Sequence, residues 1–329
     1  MAYYDVFNGD ADGICALQQL RLQQPRDAIL VTGLKRDIDL LRRVEAGAGD
    51  EVTVLDVSLD KNRESLHNLL AQGARVFYAD HHYPGDIPRH DHLDCHIDVA
   101  ADTCTSLIVN RHLDDAHWRW AVAGAFGDNF DQAARDLGSA GGLAETDLEA
   151  LQQLGICLNY NGYGFELADL LYHPADLYRL VHPYTDPLEF IDSEAGYARL
   201  LAQYHDDTAR ASGAMPEAES AAGAVYLLPN ESWAKRIVGV MGNDLAKQFR
   251  ARAHALLVDM GDGHFRVSVR APYERKDGAD ELCRRFAGGG GRKAAAGINA
   301  LAQAELAGFI DAFNAQYGHD NGEATEKKQ

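Results

Sequence analysis

Over the first hundred residues, short apolar runs alternate with stretches whose apolar residues recur at helical spacing, and this pattern constrains the fold more than any other feature. The runs are Tyr3–Phe7, 28–32, Glu51–Leu55 and 75–79, rich in Val, Ile, Leu, Phe and Tyr. The intervening helical stretches are 14–24, 37–45 and 61–72. Strands that alternate with helices imply βαβ units and a parallel sheet. In such a sheet the carboxyl ends of the strands form one rim, and ligands of open α/β folds bind there. From about residue 103 to 184 the pattern turns mostly helical.

A second, smaller α/β unit is expected further along. The segment 191–222 is polar and alanine-rich and reads as a connecting helix or linker with a break at Met215-Pro216-Glu217. Strand patterns follow at 225–228, 255–260 and 265–270, the last two joined by an Asp262-Gly263 hairpin turn, and helical patterns lie at 232–252 and 301–317. The division expected is an N-terminal domain over 1–190, a linker over 191–222, a second domain over 223–318 and a frayed tail over 319–329. The active site is expected in the cleft between the two domains.

Charge narrows the partners. With 31 Lys and Arg against 50 Asp and Glu, the chain has a formal net charge of −19, which disfavours a protein that grips a long phosphate backbone. Residues 245–300 depart from the rest, with eleven Lys or Arg against six Asp or Glu, so this segment is where a phosphate is welcome. No run of about 18 apolar residues is present, and the N-terminus lacks the basic-then-apolar profile of a signal peptide. The five cysteines are scattered, which argues against a disulfide scaffold or a thiolate zinc site. These features together suggest a soluble cytoplasmic protein with no membrane partner.

In four places an acid or a histidine follows directly on an expected strand or buried apolar segment: Asp10-Ala11-Asp12-Gly13, Asp56, Asp80-His81-His82 and Asp128. Singly, each has a plain structural reading as a turn, a helix cap or a surface pair. Gathered in order at strand ends, they offer several carboxylates and one or two imidazoles, a donor set for hard or borderline divalent ions, with the imidazole favouring Mn²⁺ over Mg²⁺. A pair of such ions can generate hydroxide and stabilise the oxygens of a phosphoryl displacement. His90, His92 and His96, with Asp91, Asp94 and Asp98, read as a polar loop. The run Gly288-Gly289-Gly290-Gly291 followed by Arg292-Lys293-Ala294-Ala295-Ala296 reads as a glycine loop feeding a helix whose N-terminus presents N–H groups to an anion.

The four motifs, in this order, resemble those of the DHH phosphoesterases, and 288–297 is similar to the glycine-rich signature of the DHH-associated C-terminal domain. The combination is similar to nano-RNases and RecJ-type exonucleases over nearly the whole chain. The resemblance implies hydrolysis of phosphodiester or phosphomonoester bonds with two Mn²⁺ ions, Mg²⁺ being the alternative. It implies Asp56 as the bridge between the ions, Asp12, His81 and Asp128 on one ion and Asp10 on the other. His82 would face the phosphate as proton donor or oxyanion stabiliser, and Asp80 would orient its neighbours. Two positions depart from the pattern. Val6 stands where many relatives have a metal-binding histidine, which makes the amide oxygen of Asn8 a substitute donor. Arg292 stands where the signature usually has histidine; it binds phosphate bidentately but shuttles no proton near neutral pH. Arg270, Gly289, Gly290, Gly291, Arg292 and Lys293 are the implied substrate contacts. The leading expectation is hydrolysis of short oligonucleotides. The alternatives are a phosphatase or phosphodiesterase of small nucleotides, of the 3′-phosphoadenosine phosphate or cyclic-dinucleotide type, and a nucleotide-binding protein with weakened catalysis. A homodimer is compatible with each.

Overall fold

The computed structural model describes residues 1–318; the expected frayed tail, 319–329, lies outside the described residues. The chain divides into two compact units, Met1–Tyr204 and His205–Gln329.

The first unit is built on a five-stranded, wholly parallel sheet in the order β2-β1-β3-β4-β5. Its strands are β1 (Tyr3–Phe7), β2 (Ile29–Val31), β3 (Glu51–Leu55), β4 (Arg75–Asp80) and β5 (Leu93–Ile97). Strand order reverses between β1 and β3, so the loops after these two strands diverge and leave a crevice at their carboxyl ends. Asp10 and Asp56 sit in those two loops. The helices are α1 (Ala11–Gln23), α2 (Leu59–Ala71), α3 (Thr105–His112), α4 (Trp118–Gly127), α5 (Asp131–Ala140), α6 (Glu145–Gly162), α7 (Pro174–Val181) and α8 (Pro187–Ser193), followed by α9 (Ala195–Ser212), which begins in this unit and ends in the next. Helix α1 is buried continuously from Ala11 to Arg21, because β1, α3, α4 and α6 all pack on it. A helix covered on every side shows no amphipathic stripe. Val6, Val52, Val54 and Val76 point from the sheet into a core completed by Leu59, Leu66, Leu69 and Leu70.

Three expectations fail in this unit. The helical stretch at 37–45 is reduced to a single 3-10 turn, Leu41–Arg43, pinned by Asn62, whose Oδ1 accepts the Leu41 N–H and whose Nδ2 donates to the Ile38 carbonyl. The polar loop around His96 contains the edge strand β5. His96 there pairs with Asp94 at 2.9 Å, and its ring centroid lies 5.1 Å from that of Phe77 and 4.5 Å from that of His112. Asp128 follows no strand; it is the C-cap of helix α4.

The second unit holds a six-stranded mixed sheet in the order β10-β11-β9-β8-β7-β6. Its strands are β6 (Pro216–Ser220), β7 (Gly223–Leu228), β8 (Ala253–Asp259), β9 (His264–Arg270), β10 (Gly289–Arg292) and β11 (Ala295–Ala302), with helices α10 (Ser232–Gln248), α11 (Ala279–Cys283) and α12 (Leu306–Tyr317). Phe309, Phe313 and Tyr317 of α12 pack on Val225, Val267, Val269 and Ile298 in one core. The hairpin at Asp262-Gly263 forms, with Gly261 and Gly263 both at positive φ. Strand β6 falls within the segment read as linker. The glycine signature is also corrected: Gly289–Arg292 and Ala295–Ala302 are antiparallel strands, with Arg292 opposite Ala295, and no helix starts there. Alanine favours helix in isolation, but 295–298 is paired on both sides, to β10 and β9, and that pairing overrides local preference.

Candidate metal centre

Each side chain at the rim of the parallel sheet is fixed by the element that carries it. Asp10 is the N-cap of α1, its Oδ1 accepting the Gly13 N–H at 3.1 Å. Asp12, the second residue of α1, accepts the backbone N–H groups of Thr105 and Ser106 at 2.7 Å each. Those are the first two residues of α3, whose own N-cap, Cys104, makes no side-chain cap bond. Asp12 therefore supplies the missing acceptors and sits at the positive end of that helix. Asp56 follows β3 with φ at 57°, a left-handed conformation that costs an L residue about 1–2 kcal/mol. It is held there by its N–H bond to the Ala79 carbonyl and by the Thr105 hydroxyl, which donates to Oδ1 at 3.3 Å. Strain at a buried carboxylate, maintained by its surroundings, is typical of a site residue.

Asp80 ends β4, and His81 and His82 follow it directly. Nε2 of His81 lies 3.5 Å from both Asp56 Oδ1 and Asp128 Oδ2. His82 donates from Nδ1 to Asp80 Oδ1 at 2.7 Å, which leaves Nε2 as its basic nitrogen. Ligand atoms lie within 4.8 Å of one another in two sets, Asp12 with His81 and Asp128, and Asp56 with His81 and His82. Carboxylates and imidazoles at this spacing fit a divalent ion of the Mn²⁺ or Mg²⁺ type.

The electrostatics point the same way. Asp12 and Asp56 are buried, and burial together with their acidic neighbours raises both carboxyls, Asp56 well above the ordinary range. Burial opposes a charged His81, yet its hydrogen bond to Asp56 and the charges of Asp56, Asp12 and Asp128 outweigh burial and push its pKa up to about 10. A neutral imidazole made so basic by surrounding carboxylates marks a place where a cation is stabilised.

Two residues that the sequence reading passed over complete the centre. Lys35, in the loop after β2, donates from Nζ to Asp10 Oδ2 at 2.5 Å, to Asn159 Oδ1 at 2.9 Å and to Asp128 Oδ1 at 3.1 Å. Asn159 projects from α6. Burial lowers Lys35, but Asp10, Asp128 and Tyr163 more than compensate and hold its pKa well above the usual lysine value. The same ammonium pulls Asp10 below the ordinary carboxylate range against the effect of burial. Asp10 lies in neither ligand set. Asn8 donates from Nδ2 to the Lys35 carbonyl at 3.3 Å, and its buried Oδ1 has no hydrogen-bond partner among the described residues. Val6 is fully buried in the core beneath.

The implied substrate contacts lie in the second unit. Arg270 ends β9 and is held by Asn243 Oδ1 and Ser268 Oγ, each at 2.9 Å. Its backbone partner is Ala295, which also faces Arg292, so Arg270 and the glycine hairpin lie side by side in the sheet. Gly291, at φ 142°, has no room for a side chain, since a Cβ would meet the Ala296 Cα at 2.6 Å. Arg292 and Lys293 are exposed, Lys293 lying 3.5 Å from Asp277. The His90, His92 and His96 cluster forms no metal-ligand set among the described residues.

No family model and no curated protein sequence matches the chain. Solved structures do. An exonuclease RecJ bound to manganese superposes with a TM-score of 0.62 at 18% identity, over 97% of this chain and 90% of that one. RecJ from Thermus thermophilus in complex with Mn²⁺ gives 0.64 at 18% identity, over 96% of this chain and 52% of that one. The chain has the RecJ/DHH fold. A pGpG-specific phosphodiesterase, PggH from Vibrio cholerae, shares this fold with a TM-score of 0.56 at 14% identity, over 95% of this chain and 99% of that one. The RecJ/DHH fold thus accounts for the parallel five-stranded sheet and for the second, mixed sheet that follows it.

Proposed function

We propose that this chain is a divalent-metal-dependent phosphodiesterase that hydrolyses short oligonucleotides. The observation that carries the reading is the convergence of Asp12, Asp56, His81 and Asp128, from four separate stretches of sequence, at the carboxyl rim of one parallel sheet. Asp12, His81 and Asp128 would hold the ion, with Asp56 beside them 3.5 Å from His81 Nε2; as a Lewis acid the ion would polarise a phosphoryl oxygen and lower the pKa of water. The remaining roles belong to the chain's own side chains. Asp80 fixes the orientation of His82, and half-exposed His82, in its imidazolium form, presents Nε2–H as the proton donor to the leaving oxygen. In the second unit, Arg270 and the exposed Arg292 and Lys293 provide the cationic groups for a phosphate; Gly290 faces open space, while Gly289 and Gly291 let the hairpin pack against Cys283 and Ala296. The described fold neighbours include an exonuclease and a phosphodiesterase of the dinucleotide pGpG, which supports a phosphodiester substrate.

The test is a comparison of three substrates with the full chain and Mn²⁺: a labelled dinucleotide, a long single strand and a 3′,5′-bisphosphate nucleotide. The expected order of kcat/KM places the dinucleotide first. Asp56→Asn, chosen because Asn tolerates the left-handed backbone, is expected to abolish turnover. His82→Ala is expected to lower kcat by about 10²–10⁴-fold while Mn²⁺ remains bound. Turnover of the bisphosphate alone would identify a small-nucleotide phosphatase, and nucleotide binding without turnover under any divalent ion would identify a binding protein.

A further inference from the structure

We infer that the ammonium of Lys35 takes the place of a second metal ion, so that the centre binds a single divalent cation. The inference rests on the metal-dependent reading above and concerns how many ions the centre accepts.

Three observations carry it. The first is coordination: Nζ has three N–H bonds and directs them to three oxygens, Asp10 Oδ2 at 2.5 Å, Asn159 Oδ1 at 2.9 Å and Asp128 Oδ1 at 3.1 Å. The donor is saturated, and the acceptors are two carboxylates and a carboxamide, the kinds of oxygen that ligate Mg²⁺ or Mn²⁺. The second is the division of labour at Asp128. This carboxylate gives Oδ1 to Lys35 and turns Oδ2 toward His81, 3.5 Å away, so it spans an ammonium on one side and a ligand set on the other. The third is the state of Asp10: its Oδ1 caps α1 through Gly13 and its Oδ2 accepts from the charged Lys35 ammonium, whereas Asp12 accepts only backbone N–H groups, and Val6 below Asp10 supplies no donor.

Lys35 is not a surface lysine that happens to lie nearby. Its side chain is only 27% exposed, its backbone N–H bonds the Gly162 carbonyl at 3.0 Å, and its carbonyl accepts from Asn8. The loop that carries it is thus tied to the loop after β1 and to the end of α6. A divalent ion at the same oxygens would face a fixed positive charge within a few ångströms in a poorly solvated setting, where like charges repel strongly. Either the ammonium or the ion can hold Asp10, and the backbone anchoring favours the ammonium.

Metal counting decides it. The metal-free full-length chain is dialysed against excess Mn²⁺, and bound metal per chain is measured by mass spectrometry alongside the electron paramagnetic resonance spectrum. The wild type is expected to bind one Mn²⁺ per chain with the six-line signal of an isolated ion, and Asp56→Asn is expected to bind it far more weakly. Two ions per wild-type chain with an exchange-coupled spectrum would overturn the inference while upholding the metal-dependent reading. No bound ion would overturn both. In Lys35→Met, which keeps the length of the side chain but removes the charge, a second ion is expected with exchange coupling, whereas Lys35→Arg is expected to stay at one. Lys35→Met holding one ion at unchanged affinity would also overturn the inference. If Lys35→Met fails to fold, the wild-type count and spectrum still decide.

Discussion

At the residue scale, the centre is a group of acids whose repulsion is held in check by whatever cation is present. In the metal-free chain part of that task falls to His81. Its folded pKa of about 10 lies above the ordinary 6.5 of an exposed histidine, so the proton it carries contributes stability fully below pH 6.5. That contribution is lost as pH rises from 6.5 through about 10. An imidazole ligates a metal only when neutral, so with His81 as a ligand, binding of Mn²⁺ near pH 8 would expel this proton. The expected outcome is release of about one proton per ion, and an affinity that rises about tenfold per pH unit below pH 10. Calorimetric titration in two buffers of different ionisation enthalpy measures the release, which should fall by about one proton in His81→Gln. The acidic and histidine residues of the centre were legible in the sequence because each stands at the end of a recognisable apolar segment. Lys35 and Asn159 were not. A lysine in a polar loop reads as solvent-facing, and an asparagine within a helix carries no mark of the side it faces. Only the fold brings Lys35 within bonding distance of Asp10, Asp128 and Asn159.

At the scale of elements, what brings Lys35 to Asp10 is a close approach of two loops. Gly9, just before Asp10, lies against the loop after β2, and a Cβ built on it would stand 1.9 Å from the Gly33 carbonyl oxygen and 2.7 Å from Pro174 Cγ. Gly9→Ala must therefore push the β1–α1 and β2 loops apart. Overpacking of this kind costs about 1–3 kcal/mol, and that loss is expected in urea denaturation. The same displacement should weaken Mn²⁺ binding, whereas Gly142→Ala, at a positive-φ turn with nothing within 4 Å of the added carbon, should lower stability and leave metal affinity unchanged. The regular elements were read well where apolar period and burial agree: β1 and β3 occupy the residues their sequence indicates. They were misread where neighbours decide. Strand β5, with Asp94 and His96 among its five residues, is an edge strand whose polar members face partly to solvent. The alanines of β11 are strand because β9 and β10 flank them. The segment 37–45 had helical spacing but is pinned by Asn62, a contact that periodicity does not register.

At the scale of the whole molecule, the charge of −19 and the locally basic segment 245–300 act on substrate length. A protein with this net charge repels a polyanion at long range, and the repulsion grows with each phosphate outside the site, while a short substrate meets only the few cationic groups that contact it. For single-stranded substrates the logarithm of the binding constant falls with the logarithm of salt concentration by about 0.7 per neutralised phosphate. A dinucleotide held through one or two phosphates should thus show a slope near −1 in kcat/KM under subsaturating conditions. A long strand gripped along its length would give about −4 or steeper. Measured between 50 and 200 mM salt (a range of about fourfold, chosen to resolve these slopes), the dinucleotide is expected to lose no more than a few-fold in kcat/KM. For the long strand the two effects oppose each other: added salt screens its repulsion by the acidic surface and weakens its few specific contacts. Its rate should therefore stay low and nearly flat, so the preference for the dinucleotide should be greatest at low salt. A steep fall of the long-strand rate from a high value would instead mean that a continuous basic track outweighs the acidic surface, and the substrate would then be a long strand.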